Sequence, residues 1–427
     1  MLLSTIKNIK KIKMYLYIKR IFSFSILVFS LSMLLTQFTN AQKLNSLIEI
    51  GLKNNPEIQK FELRYKIASE KINEVSSIPN TEFGLGYFIS EPETRTGAQR
   101  FKVSARQMIP WFNTISAREN YVSSLAESKY EDVVIAKRRL ITSISQSYHN
   151  LYANRAKQNV YIENIEVLKT YKKLALTSVE TGNVSVVDVL KLQMRQDELQ
   201  QLFEVLIQEF IAEQTSLNKL LNRDNSLQVS VEDELMIPSE SFEEETDSLE
   251  LHPELLKFDK LYYSIEQSEL LNQKESSPMI GFGLDYIHVE KRPNLDFNEN
   301  GKDIIMPMLS LSIPIFNSKY KSKTKQNDLK QQEILAQKQE HLNKLKIRLE
   351  RAIHDRNSAR ISYKAQAKNL IQAKNAQDIL MKSYETEAIN FSDVLDIQEL
   401  QLKFQLNQVE SVKKYYLQST IINYLRQ

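Results

Sequence analysis

Seventy consecutive residues, Phe112 to Thr181, contain neither Gly nor Pro, and the same holds from Ile315 to the last residue, Gln427. In a helix interior Gly costs about 1 kcal/mol and Pro about 3 kcal/mol relative to Ala. Their absence permits one continuous helix of roughly 105 Å at about 1.5 Å per residue. Both runs carry a narrow apolar seam: Ile141, Ile144, Tyr148 and Leu151 in the first, Leu342, Leu345, Leu349 and Ala352 in the second. That 3–4 spacing is the pattern of coiled-coil packing. With only 8 Gly and 10 Pro in 427 residues and 26% charged side chains, the composition suits long helices rather than several ordinary domains.

The chain says most things twice. Asp188-Val189-Leu190 and Gln193 align with Asp393-Val394-Leu395 and Gln398, within the stretches that open at Tyr171 and Tyr384. Asn55-Pro56-Glu57-Ile58 aligns with His252-Pro253-Glu254-Leu255, Gly84-Leu85-Gly86 with Gly281-Phe282-Gly283, and Ile109-Pro110-Trp111-Phe112-Asn113 with Ile313-Pro314-Ile315-Phe316-Asn317. Solenoid units repeat every 20 to 50 residues or so, so this spacing implies two large, similar halves. The register between them changes only at proposed loops, where indels are tolerated. Each half reads as helix, β-hairpin, very long helix, tight turn and return helix. The strands are expected at 81–90 and 100–109, then at 279–289 and 304–313. Each is about long enough for a tilted strand to cross a bilayer. The first half covers 42–224 and the second 251–427, with tip turns at 182–185 and 387–390. Between them residues 225–250 form an acidic connector, expected to be solvated.

The first 41 residues hold six basic and no acidic side chains, ahead of an apolar run from Ile21 to Leu35 and Thr39-Asn40-Ala41. This is the pattern of a secretory signal peptide; an uncleaved anchor is the alternative, and Met14 is a second possible start. Removing six positive charges turns the net charge of +3 into −3. The apparent basicity belongs to the signal, and nothing points to nucleic acid.

Catalytic and cofactor chemistry finds no footing. Cys is absent, which removes disulfides, thiolate metal sites and cysteine nucleophiles. The five His (149, 252, 288, 341 and 354) form no metal-ligand spacing. The paired Gly-x-Gly motifs lack the third Gly and following helix of a nucleotide site. No nucleophile–base arrangement is present, so the chain is expected to be no enzyme, with no cofactor and no metal. Trp111 marks either a membrane boundary or packing at a strand–helix junction. Met279, Met306 and Met308, in the second hairpin, read as packing.

Two hairpins supply four strands, too few to close a barrel when natural single-chain barrels start at eight. An exported chain with bilayer-length hairpins should pool strands with other copies. In the order, duplication and spacing of these motifs the chain resembles the TolC-like outer-membrane efflux proteins (outer membrane factors), over nearly all of residues 42–427. The resemblance implies a mainly α protein with a β-barrel portion: a homotrimer with a 12-stranded barrel in outer-membrane lipid and a periplasmic α-helical tunnel. It implies a passive duct for a tripartite efflux or type I secretion system, partnered by a periplasmic adaptor and an inner-membrane pump of the RND or ABC type. A coiled-coil scaffold or adaptor without a pore is the alternative. Cargo (heavy metal, drug or polypeptide) stays open.

The same resemblance places a pore gate at Asp393 and Asp396, with Asp188 as the first-half counterpart; Lys191 stands where a second Asp would be. A ring of carboxylates near a three-fold axis favours cations. Equally, Asp188 and Asp393 suit the positive end of a returning helix. Gly182, Asn183, Val184 and Ser185, with Glu387, Ala388, Ile389 and Asn390, are the expected adaptor contacts, or plain turns. Glu387 replaces Gly182 in the second turn.

Overall fold

The computed structural model describes residues 44–180, 185–232, 234–238, 249–385, 389 and 391–426. The expected signal segment, Gly182, Asn183, Val184, Glu387, Ala388 and Asn390 lie outside the described residues. The fold is mainly helical with one small antiparallel sheet.

Asn55 splits the first helical run into α1 (44–54) and α2 (Pro56–Val75). Pro at the first helical position lacks an N–H that would have no partner there. The Asn55 side chain accepts from the N–H groups of Glu57 at 2.8 Å and Ile58 at 3.4 Å. Helix α5 (Pro253–Glu275) starts the same way, with His252 Nδ1 accepting from the Glu254 N–H at 3.3 Å. Ile58 and Leu255, which follow these caps, are both fully buried. Each cap thus sets the direction of a helix whose first apolar residue is locked in the core.

Helices α3 (Thr114–Glu180) and α6 (Lys319–Glu385) run 67 residues each, about 100 Å. They return as α4 (Val186–Leu220) and α7 (Phe391–Arg426). Helix α3 packs on α4 and α7, and α7 packs on α6, which leaves α4 and α6 on the flanks of the layer; α2 and α5 lie against α3. Ile144, Tyr148 and Leu151 are buried in the central cluster and Leu345, Leu349 and Ala352 in another, while Ile141 and Leu342 are half-buried. The seam therefore faces other helices of the same chain over most of its length.

The connector departs from its expected solvated state. Val229, Val231 and Ile237 are buried against α3. The backbone N–H groups of Glu232 and Leu235 donate to the Tyr148 and Tyr152 hydroxyls at 3.1 and 3.0 Å, and Tyr416 Oη donates to the Met236 carbonyl at 2.8 Å. Residues 227–232 and 234–237 form a strap across the helices. Three aliphatic side chains supply its burial and three tyrosines partner three of its backbone groups, while the Glu234 side chain stays exposed.

His149 sits beneath this region, buried, stacked on Tyr416 at 5.0 Å between ring centres. Burial pushes its pKa down to about 4. The unfolded chain, with an ordinary imidazole, binds the proton more readily. Stability tied to His149 is therefore complete above about pH 6.5 and is lost as pH falls toward 4. The expected loss at pH 4.5 is about 2.5 kcal/mol per chain. Thermal unfolding of wild type and His149→Phe at pH 7 and pH 4.5 checks it: the variant should show a distinctly smaller acid-induced drop.

Candidate functional site

The sheet has strands β1 (Glu82–Tyr87), β2 (Glu93–Thr94), β3 (Gly97–Pro110), β4 (Met279–Glu290) and β5 (Ile304–Ser312). Its order is β1-β3-β4-β5, with β2 pairing beside the end of β3. Both hairpins therefore belong to one sheet, whose outer strands β1 and β5 each have a single long neighbour. Strand β1 ends before residue 90, because the chain turns at Pro92 and pairing resumes through β2. A register shift at Gln99/Phe101 accompanies that turn, and the ladder of β3 starts at Gly97 rather than at residue 100.

Alternation along the strands separates two faces. One carries Phe83, Leu85 and Tyr87 on β1, Phe282 and Leu284 on β4, and Ile305, Leu309 and Leu311 on β5, all exposed. The register lines them up: Leu85 with Val103, Phe282 with Leu309. From Ile305 to Ile313 this apolar face extends about 27 Å at about 3.3 Å per residue. The other face carries Glu82, Lys102, Ser104, Arg106, Asp285 and Ser310, with Gly84, Gly281, Gly283 and four methionines. Asp285 is wholly buried and forms an ion pair with Lys102. A buried carboxylate without such a partner would be strongly disfavoured.

At the far end of the long helices, Asp393 and Asp396 lie three residues apart at the start of α7, both exposed. They have no ion pair among the described residues. Between and behind them Phe391, Val394 and Gln398 are buried. Phe391 packs edge-on against Tyr171 of α3 (5.9 Å) and Tyr384 of α6 (5.0 Å). Gln398 Nε2 donates to Asn164 Oδ1 at 2.8 Å, and Asn164 Nδ2 donates to Gln405 Oε1 at 2.8 Å. The carboxylates are thus held on a pinned helix start. Asp188 differs: it pairs with Lys191 at 3.4 Å. Ser185 is the N-cap of α4, its hydroxyl accepting from the Val187 N–H at 3.1 Å. Arg195 joins α4 to α7 through Glu399 at 3.4 Å. Ile389 is half-buried and packs on the cluster around Phe391. Sequence reasoning missed Phe391, although Tyr171 and Tyr384 open the two matched stretches that meet on it.

The fold as a whole recurs in solved structures. CusC, whose structures bear on transmembrane channel formation, aligns with a TM-score of 0.74 at 14% identity, over 90% of this chain and 92% of its own. This is an outer-membrane channel fold. The channel fold is shared by the outer-membrane protein VceC of Vibrio cholerae (TM-score 0.71, 15% identity, 91% of this chain and 97% of VceC). The Campylobacter jejuni outer-membrane channel CmeC shares it as well (0.71, 14%, 90% of this chain and 85% of CmeC). The TolC-like likeness expected from the duplicated motifs is thus met at the level of the channel fold. No protein-family model and no curated protein sequence matches the chain. Among the described residues no helix is long and apolar enough to cross a membrane.

Proposed function

We propose that the chain is the outer-membrane duct of a tripartite efflux or type I secretion system, built as a homotrimer of two-repeat chains. The observation that carries this is the sheet: one exposed apolar face of bilayer height, a polar opposite face, and outer strands available for pairing. In water such a face is a liability. In lipid it is the required surface, provided that the edges close. Three copies, β5 of each joined to β1 of the next, make a 12-stranded barrel. The 100-Å helices continue it as a tunnel through the periplasm.

Conduction is passive in this reading, with an adaptor and an RND- or ABC-type pump supplying the energy. The adaptor meets the turns at 182–185 and 387–390. Asp393 and Asp396, repeated three-fold, ring the narrow end, with Asp188 outside the ring because Lys191 already neutralises it. Purified protein in a planar bilayer tests this. Discrete cation-selective channels are expected, and Asp393→Asn combined with Asp396→Asn should lower the cation preference severalfold. No channel activity from correctly folded protein would refute the duct.

A further inference from the structure

On the polar face of the sheet, near its junction with the helices, lies a trough of about 700 Å³ lined by Glu82, Arg106, Met108, Gly281, Gly283 and Met308 among others. Its volume falls in the range of small-molecule sites, about 300–1,000 Å³. We propose that this trough binds organic anions with an aromatic body. The reading rests on the duct proposal in one respect only, that this face lines the pore.

The floor is glycine for a reason. A Cβ on Gly281 would lie 2.5 Å from Met108 Sδ, and one on Gly283 would lie 3.2 Å from Met308 Cε. The two methionines thus reach over β4 from the strands on either side, β3 and β5, and cover its glycines. Thioethers are polarisable and adapt to aromatic rings at modest energetic gain. Arg106 stands directly beside Gly283 in the register and has no ion pair among the described residues. Its planar guanidinium matches a sulfonate or carboxylate with two parallel hydrogen bonds. Two other charges bear on the choice of ligand. Lys102 is neutralised by Asp285. Glu82 faces Arg106 from β1, one strand spacing (about 4.8 Å) farther from the glycine floor. The charge nearest the thioethers is therefore positive. That favours an aromatic anion over a soft metal cation, which the thioethers alone would also suit.

Trp111, the only tryptophan, directly follows β3 and can report occupancy by energy transfer. Full-length protein in a non-ionic detergent is titrated with 1-pyrenesulfonate and, separately, with 1-pyrenemethylammonium. Saturable transfer from Trp111 to the sulfonate is expected, with the ammonium compound binding about tenfold more weakly. Arg106→Gln should weaken sulfonate binding about tenfold, and Glu82→Gln should strengthen it. Replacing Met108 and Met308 together by Ala should weaken both probes. Equal or tighter binding of the ammonium probe, no effect of Arg106→Gln, or no saturable transfer would overturn the assignment. So would silver ion binding that depends on the methionines and is strengthened by loss of Arg106. Because the readout needs no open pore, binding without conductance would leave the site standing and remove the duct. Conductance without binding would do the reverse.

Discussion

Leu309→Arg is expected to abolish assembly of the trimer, whereas Ser310→Arg, one residue along the same strand, is expected to permit it. Leu309 is exposed on the apolar face opposite Phe282; Ser310 points to the polar face, beside Gly281. An arginine facing lipid near the bilayer midplane costs about 2–4 kcal/mol, which three copies raise to about 6–12 kcal/mol per barrel. An arginine facing an aqueous lumen costs little. Unheated and heated samples on a detergent gel separate the two outcomes, since an intact barrel migrates as an oligomer until boiled. A water-soluble scaffold would reverse the expectation, with Leu309→Arg improving solubility and neither variant altering a detergent-resistant species.

Phe391→Ala is expected to carry the largest effect in the helical part. Its ring is fully buried in the cluster formed by Tyr161, Ile165, Leu168 and Tyr171 of α3, Leu192 and Leu199 of α4, and Val394 and Leu402 of α7. Removing a buried aromatic side chain from such a cluster costs about 3–5 kcal/mol. The loss falls on the first turn of α7, which Phe391 pins to α3 and α6 through Tyr171 and Tyr384. Hydrogen exchange should rise in residues 391–398 while residues 411–425, held by Val412, Ile422 and Leu425, stay protected. In a bilayer the same variant should open more often, because the turn bearing Asp393 and Asp396 is no longer fixed. Asp393→Asn is the control: its side chain is exposed, so stability should barely change while ion preference does.

Much of the architecture was legible because it is periodic or duplicated. The Gly- and Pro-free runs became α3 and α6, and the repeated Asn-Pro-Glu and His-Pro-Glu became paired helix starts with the same capping geometry. What stayed illegible depends on residues far apart in sequence. Glu254 accepts hydrogen bonds from Arg139 at 2.6 Å, His341 at 2.5 Å and Tyr424, drawing α3, α5, α6 and α7 together. Although burial opposes it, these donors hold the carboxyl near 2. No local pattern announces such a meeting. The strap failed differently: the acidic run that begins within it at Glu232 obscures Val229, Val231 and Ile237, and the tyrosines that hold its backbone lie more than 80 positions away. At the tip, Phe391 sits between an Asn and a Ser just after the short apolar pair Ala388-Ile389, too brief a run to show a period. The two faces of the sheet lay in between. Their alternation is broken on β3 by the shift at Gln99/Phe101 and becomes clear only when the four strands are placed in register.

The most direct measurement is the molar mass of the mature protein extracted from the outer-membrane fraction, by light scattering corrected for bound detergent. Three chains per particle, extracted only with detergent, is the predicted result, since three four-stranded contributions make the twelve strands of the proposed barrel. A monomer or dimer recovered without detergent would contradict the shared barrel and leave the helices as a soluble coiled-coil scaffold.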